Sequence, residues 1–307
     1  MTKKVGRSLR RKLEIGLWRY YRSGWVRREH ASEAAPIIVG GCDRSGTTLL
    51  RAAIDSHPLI AAGPESWVFV YRREPGWLAS EYGFEEAFVR ELMDTSPSLA
   101  AFADDFFEAY RKRCGAAVWC EKSPRNVLRF PWILERFPKA RIVHIIRDGR
   151  DVACSLRHHP KRIRVGDRYV PSNINRPIRS CIDHWTKYVR AGLAHRGDER
   201  YTEVRYEDLV SDYEGTMRRL CEHCRVEWSD EVLRREEIQS KRSDMEIVNP
   251  EVRTPLYHSS LGRWRRDLSE EEQALVMKRA GGLLGTLGYL NDHDAADAGV
   301  RGEEHAA

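Results

Sequence analysis

The chain lacks several features that would classify a protein at once. It has no run of 18 apolar residues, so no membrane-spanning helix is expected. Its basic start holds no apolar core of the secretory kind, because Glu14 and Arg19 interrupt the stretch Leu13 to Tyr20. Seven cysteines, at 42, 114, 120, 154, 181, 221 and 224, are odd in number and widely spaced, unlike a disulfide scaffold. Cys221-Glu222-His223-Cys224 looks like half a zinc site, but no second CxxC or CxxH pair accompanies it. Two small apolar cysteines on a helix are the better reading. No internal repeat is visible. These absences leave a globular enzyme, expected in the cytoplasm.

What is present is a chain of 307 residues, 41% hydrophobic and 32% charged. That length suits one large α/β domain or two modest ones. The net charge of +6 is mild and unevenly placed. Residues 1–29 hold ten Lys or Arg against two acidic groups, whereas 291–307 carry five acidic residues and one arginine. The basic part fits an anionic ligand, a membrane surface, nucleic acid or a plain solubilising surface. Leu9, Leu13, Leu17, Trp18 and Tyr21 give segment 1–30 the spacing of a basic amphipathic helix, expected to pack on the domain. Peripheral membrane contact is the alternative. Residues 31–290 form the main domain, and 291–307 an acidic, flexible tail.

Short apolar runs alternate with helical patterns. Strands are expected at 37–40, 116–120, 141–146 and 201–206. Helices are expected at 47–55, 65–73, 84–93, from 94–98 to about 112, and at 125–136. Further helices follow from 152, at 181–196, 212–224 and 268–281. The alternation predicts an α/β fold of P-loop-like, three-layer type, with a mostly parallel central sheet covered by helices on both faces. Residues 157–180 read as an irregular basic loop with seven basic residues and one acidic one. A loop of that length serves as a lid or a binding loop, or is disordered.

The strongest motif follows the first strand. Gly41-Cys42-Asp43-Arg44-Ser45-Gly46-Thr47-Thr48 has the glycine spacing of G-x-x-x-x-G-K-[ST], but Thr47 stands where the lysine belongs. The loop should still aim backbone N–H groups at an anion on a helix N-terminus. Ser45, Thr47 and Thr48 add hydroxyls, and Arg44 adds charge-assisted bonds. A second loop, Arg147-Asp148-Gly149-Arg150-Asp151 with Ser155 beyond it, either presents Arg147 to the same anion or is a set of internal ion pairs. The third, Glu121-Lys122-Ser123-Pro124, offers a point charge at Lys122. Glu65, after the first helix, is a candidate general base. His57, His144, His158 and His159 are rivals, with His144 expected as a core residue.

Taken together, these motifs resemble the sulfotransferase family, which uses 3'-phosphoadenosine-5'-phosphosulfate (PAPS) as donor. The chain is most similar to its tyrosylprotein sulfotransferase-like branch. Arg44 through Ala52 and Asp55-Ser56-His57-Pro58 resemble the 5'-phosphosulfate loop and first helix. Ile145 through Asp151, with Ser155, resembles the 3'-phosphate motif. Tyr206-Glu207-Asp208-Leu209 and Gly262-Arg263-Trp264 extend the resemblance, which spans about 36–290. It implies that Arg44, Ser45, Gly46, Thr47 and Thr48 bind the 5'-phosphosulfate, and Arg147 and Ser155 the 3'-phosphate. Tyr206 would lie near adenine, while Ser259, Ser260, Gly262 and Arg263 complete the donor site. Glu65 would be the base and Lys122, with Arg44, would stabilise transferred charge. No metal is expected to be required.

Pro64 and Trp67 depart from that branch, which has an acidic residue and an arginine there, and no secretory-pathway anchor is seen. The expected acceptor is therefore a small-molecule, glycan or lipid-like hydroxyl rather than peptide tyrosine. Nucleic acid is not an expected partner, and the sequence leaves the oligomeric state open. Two other readings remain: a P-loop small-molecule kinase, with Asp148 as the acidic metal ligand, and a non-catalytic adenine-nucleotide or polyanion binder.

Overall fold

The computed structural model describes residues 23–158, 161–165, 168–172, 175–234 and 260–290. Its centre is a five-stranded sheet in the order β2-β3-β1-β4-β7, with every pairing parallel. The strands are β1 (Ile37–Gly41), β2 (Ile60–Ala62), β3 (Val118–Lys122), β4 (Arg141–Ile146) and β7 (Tyr201–Arg205). All residues of β1 and β4 are buried, as expected where both faces of a parallel sheet are covered. Alternate side chains go to opposite faces. Ile37, Val39, Val143 and Ile145 pack with Leu50, Ile54, Leu209 and Met217. Ile38, Ile142 and Ile146 join the larger core on the other face, with Phe102, Phe106, Trp185 and Val189.

Helices before, between and after the strands supply those layers. They are α1 (Gly24–Arg27), α2 (Thr47–Asp55), α3 (Pro75–Tyr82), α4 (Glu86–Thr95), α5 (Leu99–Arg113), α6 (Phe130–Arg136) and α7 (Gly149–His158). After these come α8 (Ile178–Leu193), α9 (Tyr206–Ser211), α10 (Tyr213–Cys224), α11 (Trp264–Asp267) and α12 (Glu270–Thr286). Local chemistry sets several boundaries. Ser98 caps α5 by accepting the Ala101 amide at 3.1 Å, and Ser269 with Glu272 forms a reciprocal capping box on α12. From β1 the chain moves out to β2 and β3, then crosses to β4 on the other side. Such a reversal opens a crevice at the carboxyl ends of the strands.

Three expectations change. Residues 65–73 are not a helix: Trp67 has φ 58, and its amide donates to Ser123 Oγ at 2.9 Å instead of to a preceding turn. The segment is held by the end of β3, and a tertiary bond overrides its helical pattern. The basic 157–180 segment is not irregular throughout, because Lys161–Val165 (β5) pairs antiparallel with Arg168–Ser172 (β6). Residues 125–136 divide into a 3-10 turn at Pro124–Leu128 and α6. The amphipathic segment 1–22, the weakly patterned 240–258 and the tail 291–307 lie outside the described residues. Just inside that limit, Val26 of α1 is buried and Trp25 packs on Phe102, with ring centres 5.9 Å apart.

Candidate active site

The loop after β1 turns tightly, with φ 71 at Arg44 and φ 90 at Gly46. Left-handed backbone is uncommon for a side chain as large as arginine and persists where the surroundings enforce it. Gly46 is required twice, because a Cβ there would also stand 2.3 Å from the Tyr206 ring. Thr47 and Thr48 open α2, where first-turn amides have no partner within the helix. Ser45 is fully buried, and its Oγ has no hydrogen-bond partner. A buried hydroxyl of that kind, beside free helix-start amides, fits an anion's oxygen.

Arg147, leaving the end of β4, completes this cradle. Its guanidinium lies over the Tyr206 ring at 4.3 Å, donates to Ser260 O at 2.5 Å and reaches Arg44 O at 3.4 Å. The Arg147 Nε is buried without a partner. Tyr206 and Ser260 share a hydroxyl bond of 2.9 Å, and Arg44 Nε donates to Ser155 Oγ at 3.0 Å. Thus Arg44, Ser45, Gly46, Arg147, Ser155, Tyr206 and Ser260, distant in sequence, meet at one crevice. These groups fit a ligand with two anionic ends and a flat ring. Gly262 takes a supporting part: its amide donates to Asp151 Oδ2 at 2.8 Å, and the Trp264 amide to Asp151 Oδ1 at 3.0 Å. Burial, and then the charge of Asp148, raise the Asp151 pKa against the pull of those bonds.

Other residues are committed elsewhere. Arg263 pairs with Asp267 at 2.6 Å within its own helical turn. Ser259 lies outside the described residues. Asp148 and Arg150 form a buried ion pair of 2.8 Å, and Asp148 also accepts the Arg150 amide at the start of α7. The second loop is therefore divided, with Arg147 facing the cradle while its neighbours hold the loop. His57 uses both ring nitrogens, at 2.7 Å to Glu227 O and 3.2 Å from the Leu59 amide. His144 is buried beside Tyr201 at 2.7 Å, as expected of a core residue.

At the end of β3, Lys122 Nζ meets Glu65 Oε1 at 2.6 Å. The lysine side chain is 1% exposed and the glutamate 28%, so the carboxylate alone faces outward. Lys122 pairs in register with Val39, which places it at the same sheet edge as the β1 loop. Behind it the fully buried Glu121 accepts from Ser66 at 2.7 Å, from Ser123 at 2.6 Å and from Asn126. Burial raises the Glu121 pKa, partly offset by those bonds and the Lys122 charge. Around the opening stand Trp67, Tyr71 and Arg125, with the Arg125 guanidinium 6.0 Å from the Trp67 ring and bonded to the Tyr71 hydroxyl. The spacing of Glu121, Ser66 and Asn126 carried no signal in the sequence, and neither did two residues of α8. His184 Nε2 lies 3.0 Å from Asp43 Oδ2, and Trp185 Nε1 donates to Arg147 O at 3.0 Å.

A family model described as the sulfotransferase family matches residues 36–230, which include both anion loops and Tyr206. The chain belongs to the sulfotransferase family. This sulfotransferase is 28% identical over 265 residues to protein-tyrosine sulfotransferase A of Caenorhabditis elegans, covering 82% of this chain and 67% of that protein. It is 28% identical over 244 residues to the protein-tyrosine sulfotransferase of Drosophila melanogaster, covering 74% of this chain and 46% of that one. The chain thus spans between about half and two thirds of these relatives. In fold it is similar to the sulfotransferase domain of the Synechococcus PCC 7002 olefin synthase, with TM-score 0.57, 20% identity, and 87% and 98% of the two chains covered. The sulfotransferase is an enzyme of the PAPS-dependent class, and the kinase and non-catalytic readings are not favoured. Asp148, the acidic ligand a kinase would need, is already bound to Arg150.

One expectation is overturned. The departures at Pro64 and Trp67 pointed to a small-molecule, glycan or lipid-like acceptor, yet the named relatives are protein-tyrosine sulfotransferases. Two residues beside Glu65, with a secretory-pathway anchor not seen, were too little to set aside a likeness running over most of the chain. Among the described residues no helix is long and apolar enough to cross a membrane.

Proposed function

We propose that this sulfotransferase moves the sulfuryl group of PAPS onto the phenolic hydroxyl of tyrosine in a peptide or protein. The observation that carries the reading is the meeting of two arginines and an unpartnered buried serine hydroxyl at one end of the crevice, with the Glu65–Lys122 pair on the neighbouring strand end. Tyrosine as acceptor is supported by the names of the relatives.

In the proposed reaction the donor's 5' end lies on the α2 N-terminus, held by Ser45, the Gly46–Thr48 amides and Arg44. Arg147 and Ser155 take the 3'-phosphate, and the Tyr206 ring lies against adenine. The phenolic oxygen attacks sulfur while Glu65 takes its proton. The bond from sulfur to the 5'-phosphate oxygen breaks, and adenosine 3',5'-bisphosphate leaves. Arg44 and Lys122 stabilise the charge that moves to the leaving oxygen, so alignment and fixed charge supply most of the catalysis. A sulfuryl group carries less charge than a terminal phosphoryl group, and transfer without a metal belongs to this proposal. A cytoplasmic location does too, supported by seven free cysteines.

Calorimetric titration of adenosine 3',5'-bisphosphate, beside ADP and ATP with and without magnesium, tests the donor. Metal-independent preference for the 3',5'-bisphosphate is expected. Mass spectrometry of tyrosine-containing peptides incubated with PAPS then tests the acceptor. A preference for magnesium-ATP would overturn the donor, and modification of other hydroxyls but never tyrosine would overturn the acceptor.

A further inference from the structure

The anion loop contains a carboxylate where an anion has to bind. Asp43 directly precedes Arg44, and its side chain is part-buried, with 29% exposed. Burial works against its charge, but the hydrogen bond from His184 and the nearby guanidiniums of Arg125 and Arg176 more than offset this and lower its pKa. The loop thus holds an ionised acid next to the cation meant for the donor. Left free to turn, that acid would compete with the donor's phosphosulfate for the Arg44 guanidinium, whose Nε donates to Ser155.

The Asp43 carboxylate is held by α8. His184 Nε2 lies 3.0 Å from Asp43 Oδ2, and the imidazole is itself fixed against Tyr188, with ring centres 4.2 Å apart. The next residue, Trp185, is completely buried and donates to the Arg147 carbonyl at 3.0 Å. Gly149 lets this indole pack closely, since a Cβ there would stand 2.6 Å from it. Consecutive residues of one helix therefore grip the two loops that carry Arg44 and Arg147.

We propose that His184 is a positioning residue for the donor: it holds the Asp43 carboxylate against α8 and so keeps Arg44 available to the phosphosulfate. The inference rests on the donor reading above. Removing the imidazole releases Asp43 toward Arg44, and donor affinity falls although no donor contact has been deleted. Removing Asp43 as well takes away the competitor.

The test is calorimetric titration of adenosine 3',5'-bisphosphate into the full chain and its H184A, H184Q, D43N and D43N/H184A variants. Binding by the unaltered chain checks the donor reading separately, so its failure is distinct from failure of this inference. H184A is expected to bind about tenfold more weakly. H184Q keeps a side-chain donor for Asp43 and is expected within about threefold of the parent. D43N/H184A should recover most of the loss, and the KM for acceptor should stay unchanged throughout. A double variant as weak as H184A would overturn the proposal, because His184 would then act only as a brace for the loop. Undiminished binding by H184A would overturn it too. If H184A does not fold, D43N and H184Q remain decisive: a loss of tenfold or more in either contradicts the inference.

Discussion

At the level of single residues, the proposed reaction assigns Gly46 to binding and Glu65 to chemistry. At Gly46 the backbone is left-handed and the Tyr206 ring lies where a Cβ would go. Gly46→Ala should therefore cost about 1–2 kcal/mol in stability from the backbone alone. It should also weaken adenosine 3',5'-bisphosphate binding by about tenfold or more as Tyr206 is displaced. Thermal melts and calorimetry on the same samples would measure both. Glu65 is bonded to Lys122 at the end of the strand beside β1. Glu65→Gln should lower kcat by about 10²–10⁴-fold, the usual contribution of a positioned base, with donor affinity within about twofold. Turnover that survives across the whole pH range would remove Glu65 from that role. The sequence picked out both residues by type and position. The left-handed Arg44, the orphaned Ser45 hydroxyl and the bond from Arg44 to Ser155 came only from the folded loop.

Between elements, Asp151 is one of the connections from the β4 loop to the late segment of the chain. Both its oxygens accept backbone amides, from Gly262 and Trp264, which holds Ser260 beside Arg147 and Tyr206. Asp151→Ala leaves the buried Trp264 amide and the part-buried Gly262 amide without their acceptor, a loss of about 1–3 kcal/mol for the buried one and less for the other. Faster hydrogen exchange at 260–268 and weaker 3',5'-bisphosphate binding are the expected outcomes, with Glu65 chemistry per bound donor preserved. Exchange rates matching the parent would show that other contacts hold this segment. Asp151 could be read from the sequence only as a possible ion-pair partner of the neighbouring arginines. Its bonds span more than a hundred residues, and no local pattern reports that distance.

Across the whole molecule, the sheet places three strand ends together and buries His144 at its centre. Tyr201 donates its hydroxyl to Glu203 at 3.0 Å, so the imidazole donates from Nδ1 to Tyr201, and its Nε2 has no partner. Burial lowers the His144 pKa from 6.5 to about 3. Between those values the unfolded chain takes up a proton that the folded chain refuses, so stability falls as pH drops from about 6.5 toward about 3. The slope is at most about 1.4 kcal/mol per pH unit. Urea unfolding from pH 7 to 4 should show this acid limb, and His144→Gln should flatten it. An equally steep limb in the variant would assign the acid sensitivity to other groups.

By itself the sequence determined the parallel α/β class, the order of most elements and the loops that meet at the crevice. Those properties follow from short-range signals: apolar runs in β1, β3 and β4, glycine spacing at 41 and 46, and arginines just past strand ends. It missed β2, three buried residues at a sheet edge, and it read a helix at 65–73 where a bond from Trp67 to Ser123 bends the chain. Tertiary structure alone decided which groups touch. Glu65 meets Lys122, His184 meets Asp43, and Asp151 meets the late loop because separate strands end at one edge of the sheet. A side chain's partner depends on where the sheet order brings its element, and neighbouring residues in the chain do not encode that order.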